Sequence, residues 1–130
     1  MVRGVAHAVE FADVRRRVEE FGERATLVTV TESSAPHVVS TVVEVIDDRL
    51  LTRVGQRTAA NLAEHSALSL VWQPAGDGEY QLIVDGIAEP VAATQGVDGA
   101  TTISIVVTSG ILHRLAELPG GAPSCVALGE

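Results

Sequence analysis

The feature that most restricts the fold of this 130-residue chain is a series of short apolar runs, several alternating with period two. That period belongs to strands, because successive side chains of an extended backbone point to opposite faces. "ATLVTVT" alternates in this way, and "ESSAP" behind it is turn chemistry. A long β-branched run, "HVVSTVVEVI", ends at "DDR", and "LLTRV" follows. These three read as an antiparallel meander. Further along come "ALSLVW", a Pro-Ala-Gly-Asp-Gly turn, "EYQLIVDGIAEPVA", the polar loop "TQGVDG" and "ATTISIVVT". Six antiparallel strands of this length do not stay flat with open edges, so the expected fold is mainly β, a six-stranded antiparallel barrel over residues 25–108. Asp85-Gly86 carries a hairpin signal, yet the apolar pattern runs past it; a bulge at Gly86 is expected instead.

Two stretches break the strand period. "FADVRRRVEEFG" places Phe11, Val14, Val18 and Phe21 at spacings of three and four, one apolar stripe of a helix over residues 9–21 that Gly22 stops. Arg15, Arg16 and Arg17 fall mostly elsewhere on its surface, and a solvated face is preferred to an anion patch. The second break is "GQRTAANLAEH". A helix starting near Arg57 groups Arg57, Asn61 and Glu64 on one face, with Ala59, Leu62 and Ala63 on the core-facing side. Its first turn exposes unpaired N–H groups and the positive end of the helix dipole. With Arg57 and the Thr58 hydroxyl added, that end is a candidate phosphate cradle.

Bulk charge narrows the partners. A net charge of −8 argues against nucleic acid or an anionic membrane, which need clustered cations. A few arginines can still form a local pocket for a small anion. Hydrophobic residues are 46% and aromatics 3%, so an ordinary globular core must be built from Val, Leu, Ile and Ala. The single cysteine, Cys125, excludes an internal disulfide framework and fits a reducing compartment. No apolar run reaches the roughly 18 residues of a membrane helix, and the start lacks a signal-peptide pattern. The expectation is one soluble, cytoplasmic domain whose tail, residues 109–130, is of undecided structure: "SGILHRLAEL" suits strand or helix.

The stretch "LTRVGQRTAANLAEHSALSLVW", together with "EYQLIVDGIAEPV", resembles the cofactor-binding region of the pyridoxamine 5′-phosphate oxidase-like family. The resemblance covers Ala25 to about Thr108. It implies a split β-barrel with two or three short helices, binding FMN or the related deazaflavin coenzyme (F-420) at a homodimer interface. It implies that Leu51 and Thr52 touch the flavin or its ribityl chain, that Arg57 grips the terminal phosphate, and that Gln81 hydrogen-bonds the cofactor, often from the other subunit. The edge of the second strand around Ser40 to Val42 is expected to line the ring. Thr58 stands where the family pairs a lysine with its arginine; Arg53 is the candidate that compensates, and Asn61 shares the helix with Arg57. The family's eponymous oxidases carry a further C-terminal segment whose arginine and histidine hold substrate. No convincing match is found around His113 and Arg114, so that reaction is not expected.

His7, His37, His65 and His113 are scattered without Cys or carboxylate at ligand spacing, so no metal site is expected. No residue stands out as a general acid or base, which suits a flavoprotein, where the cofactor carries the redox chemistry. Three readings follow: a flavin- or deazaflavin-dependent oxidoreductase, a non-catalytic binder or carrier of such a cofactor, and a barrel that has lost it.

Overall fold

Strand β1 (Arg24–Val30) buries Ala25, Leu27 and Thr29 and turns Arg24, Thr26 and Val28 outward, so the period of two separates an inner from an outer wall. The same rule shapes β2 (Pro36–Ile46), β3 (Arg49–Val54), β4 (Ala67–Trp72), β5 (Tyr80–Glu89) and β6 (Thr101–Arg114). Helix α1 (Phe11–Phe21) precedes β1, and α2 (Gln56–Glu64) joins β3 to β4. A three-residue strand, β7 (Cys125–Ala127), follows β6. The computed structural model describes residues 9–76, 78–89, 99–114 and 125–129.

All pairings are antiparallel, in the order β3-β2-β1-β4-β5-β6-β7, and a β3–β6 pairing closes the first six strands into a barrel. The meander of β1, β2 and β3 stands as expected. Aliphatic side chains fill the interior: Leu27, Leu50, Leu70, Leu82, Val84 and Ile105 are fully buried. The one tryptophan joins them, and its Nε1 donates to the Gly22 carbonyl at 2.8 Å, tying the end of α1 to the barrel.

The register of β5 on β6 shifts between Asp85 and Gly86, which is the bulge. Glycine is required there by space: a Cβ would lie 2.5 Å from Ile105 Cγ2 and 2.8 Å from the Val106 carbonyl oxygen. Beyond it the structure departs from the expected boundary. Strand β6 runs six residues past Thr108 to Arg114, because Gly110, Leu112 and Arg114 continue the inward face. The "SGILHR" part of the ambiguous segment is therefore strand, and β7 pairs with it as a seventh. Most of "TQGVDG" and residues 115–124 lie outside the described residues.

Helix α1 is anchored by its arginines rather than merely solvated by them. Arg15 donates to the Asp47 carbonyl in the β2–β3 turn, while Arg16 and Arg17 donate to the Leu128 carbonyl at 2.9 and 3.4 Å. Arg49, on β3, reaches across β6 to Glu89 on β5 at 3.0 Å and also pairs with Asp48. The hydrogen bond to Glu89, then the charge of Asp48, raise its pKa above the ordinary guanidinium value.

Candidate outer-wall binding site

The β3–α2 junction is built as a bare helix start. Gly55, at the N-cap, is extended and has no side chain to offer, so no side chain caps the first-turn N–H groups. Arg57 projects from that turn and is exposed. All nine basic residues of the chain are arginines. Arg15, Arg16, Arg17, Arg49 and Arg114 are held by carbonyls or carboxylates, and Arg53 is engaged as well. Among the described residues, Arg24 and Arg57 make no side-chain hydrogen bond or ion pair. An acidic protein that uses its other described arginines structurally leaves these two guanidiniums available to a ligand.

Helix α2 is rotated relative to the sequence expectation. Thr58, Asn61 and Leu62 are its buried residues, whereas Ala63 is exposed with Arg57 and Glu64. Asn61 can turn inward because Nδ2 donates to Thr29 Oγ1 at 3.2 Å, which satisfies a buried amide that would otherwise be costly. Asn61 therefore does not share Arg57's exposed face. Thr58 is only 3% exposed, so the residue standing in place of lysine lies beneath the helix rather than beside Arg57.

On β3 the alternation divides the expected pair. Thr52 is buried; its hydroxyl donates to the Val42 carbonyl at 2.8 Å and bonds the Thr41 hydroxyl. Leu51 and Arg53 face the outer wall, Arg53 opposite Thr102 on β6. Gln81 also faces outward, opposite His113. Strand β6 alone stands between β3 and β5 on the closed side of the barrel, and Thr102 and His113, the partners of Arg53 and Gln81, lie near its opposite ends. At about 3.3 Å per residue, roughly 36 Å of strand separates Gln81 from Arg53. One chain does not gather Gln81 with Arg57.

What the outer wall does gather is a concavity of about 380 Å³ where β1, β2 and β4 meet, lined by Arg24, Thr26, Ser40, Val42, Val71 and Gln73. The register explains it: Thr26 lies between Ser40 and Val71, and Arg24 lies opposite Val42. The β2–β3 register then brings Val42 beside Arg53 at the mouth of α2. Ser40 and Val42, expected to line a ring, are thus part of this hollow. Arg24, Thr26, Val71 and Gln73 were not singled out from sequence; alternation marks 24 and 26 as one face, but only strand pairing shows which residues of β2 and β4 they meet.

The surrounding wall is apolar. Val38, Val42 and Ile46 are 60%, 50% and 45% exposed along β2. Farther round, Asp85 accepts hydrogen bonds from Ser69 at 2.6 Å and Ser109 at 2.9 Å, one on each carboxylate oxygen. These bonds satisfy one acceptor position on each oxygen and hold the carboxylate in place. Among the described residues, no cluster of three His, Cys, Asp or Glu side chains could hold a metal ion, and no helix is long and apolar enough to cross a membrane.

No family model matches the chain. Uncharacterised proteins of Mycobacterium bovis and Mycobacterium tuberculosis are 38% identical to it over 76 residues, 56% of this chain and 52% of theirs. The chain thus spans about half the length of the curated relatives it matches. Solved structures agree over more of it. An F420 reductase superposes with a TM-score of 0.58 at 15% identity, covering 68% of this chain and 88% of that one. A Clostridium acetobutylicum protein of the pyridoxinephosphate oxidase family, related to general stress protein 26, gives 0.60 at 14%, covering 80% and 87%. A heme binding protein from Mycobacterium smegmatis gives 0.63 at 15%, covering 95% and 60%. The chain has the split-barrel fold of pyridoxamine 5′-phosphate oxidase-like proteins.

Proposed function

We propose that this protein binds FMN or the related deazaflavin coenzyme on its outer wall, as a homodimer, and passes a hydride between that ring and a small molecule. The observation that carries the reading is Arg57, exposed at the uncapped start of α2 and without a side-chain partner among the described residues. The residues fit such a group: amides and a guanidinium for a phosphate, and a part-apolar hollow of about 380 Å³ for a planar ring. When bound, the cofactor supplies the two-electron chemistry. The chain's own residues bind and orient: Arg57 and the first-turn amides hold the phosphate, Arg53 adds positive charge at the same mouth, and Val42 and Val71 exclude water from the ring's face.

The homodimer is supported by the apolar stripe of β2 and by the separation of Gln81 from the β3–α2 junction, which suits a glutamine serving the partner's cofactor. A second reading, a non-catalytic cofactor carrier, is favoured by the hollow's lack of a carboxylate, histidine or cysteine among its lining residues. The heme-binding neighbour makes the bound spectrum the first measurement. The deciding experiment titrates the protein with FMN and, in parallel, the deazaflavin, for the wild type and Arg57→Ala. Loss of a charged hydrogen bond weakens binding by about 2 kcal/mol, roughly thirtyfold. Unchanged affinity removes Arg57 from the site, and no binding of either cofactor removes the redox reading. Turnover of an acceptor with NAD(P)H or reduced deazaflavin separates enzyme from carrier.

A further inference from the structure

Arg24 belongs to the hollow but not to the phosphate grip. It sits on β1, separated from β3 by β2, and opposes Val42 rather than the helix start. Its guanidinium has no partner among the described residues, although the chain carries 17 acidic residues. A lone cation beside two hydroxyls, Thr26 and Ser40, and the amide of Gln73, with Val42 and Val71 as walls, suits a flat group whose negative charge is delocalised. A compact dianion would demand a second cation, which the lining residues do not supply.

We infer that Arg24 is the counter-charge for the reduced ring, so that the hollow binds reduced flavin more tightly than oxidised flavin. The inference rests on the reading given under Proposed function, and it adds an assignment to a residue outside the segments that carry the family resemblance. The charge balance is simple. Uptake of a hydride, two electrons and one proton, leaves a neutral flavin ring with one negative charge, spread over N1 and the adjacent C2 carbonyl oxygen. A guanidinium offers paired N–H donors in the geometry of such an N–C–O edge, as it does for a carboxylate. Oxidised flavin presents the same atoms without the charge, so the interaction discriminates between the two states. Arg57, facing the phosphate, does not discriminate, because the phosphate is the same in both.

The test compares dissociation constants of oxidised FMN and of dithionite-reduced FMN, measured anaerobically, for the wild type, Arg24→Gln and Arg57→Ala. Wild-type protein is expected to bind reduced FMN at least tenfold more tightly. Arg24→Gln should lose about tenfold of that ratio, which lowers the bound midpoint potential by about 30 mV for a two-electron couple. Arg57→Ala should weaken both forms alike and leave the ratio unchanged. A wild-type ratio near unity, or a ratio that survives Arg24→Gln, overturns the inference while leaving cofactor binding intact. Failure of the wild type to bind either form of FMN overturns this inference, and failure to bind the deazaflavin as well overturns the functional reading with it. Arg24 is exposed at the edge of β1, so the glutamine variant retains the fold, which circular dichroism checks.

Discussion

The side-chain amide of Asn61 on α2 donates to the hydroxyl of Thr29 on β1 at 3.2 Å, joining the helix that carries Arg57 to the barrel interior. Thr29 is 1% exposed and Asn61 7%. Asn61→Ala removes a donor and opens space, and is expected to cost about 1–3 kcal/mol in urea unfolding. Replacing both partners by apolar groups, Thr29→Val with Asn61→Leu, should recover much of that loss, because no polar atom is then left unpaired. If the double variant is as unstable as the sum of the single ones, the pair does not interact as described.

The bulge at Gly86 gives a second expectation. An added methyl would meet Ile105 Cγ2 at 2.5 Å and a backbone carbonyl at 2.8 Å. The side chain can yield, but the carbonyl can move only with β6. Gly86→Ala should therefore lower stability by about 1–3 kcal/mol, read as a reduced thermal midpoint. Gly55→Ala is the control: nothing lies within 4 Å of its Cβ and its φ is −78°. That change should be tolerated.

These two positions also show how far the sequence could be read. Alternation gave the inner wall, and the run of pattern past Asp85-Gly86 gave the bulge, because both are local consequences of a period of two. The rotation of α2 was not legible: Asn61 faces inward only because Thr29 lies beneath it, thirty-two residues away. The extension of β6 was hidden for a similar reason. "SGILHR" is compatible with helix or strand by itself, and its pairing with β5 decides. The hollow was half legible, through Ser40 and Val42, while Arg24 needed the β1–β2 register.

The arginines of α1 form a clamp on the C-terminal strand. Arg16 and Arg17 both donate to the carbonyl of Leu128, which is 2% exposed and packs against Gly110. Arg16→Ala with Arg17→Ala should loosen β7 first, at roughly 1 kcal/mol per hydrogen bond lost. Amide exchange should then quicken in β7 and the end of β6 without a comparable change in β1 or β4. Uniform quickening across the barrel would mean that the clamp has no local role.

The exposed stripe on β2 provides the sharpest test of assembly. Val38 is 60% exposed and outside the hollow, so changing it does not alter the residues that line the cofactor site. In an isolated chain, Val38→Glu places a carboxylate in water at almost no cost. In a dimer whose halves meet on this wall, the same carboxylate is buried without a cation and costs several kcal/mol. The wild type is therefore expected to sediment as a dimer, and Val38→Glu as a monomer with unchanged far-ultraviolet circular dichroism. Because Gln81 is assigned to the partner's cofactor, the monomer should also bind FMN more weakly, and restoring Gln81 contacts by raising protein concentration should recover affinity. A variant that stays dimeric places the interface elsewhere on the barrel, and a monomeric wild type removes the shared site.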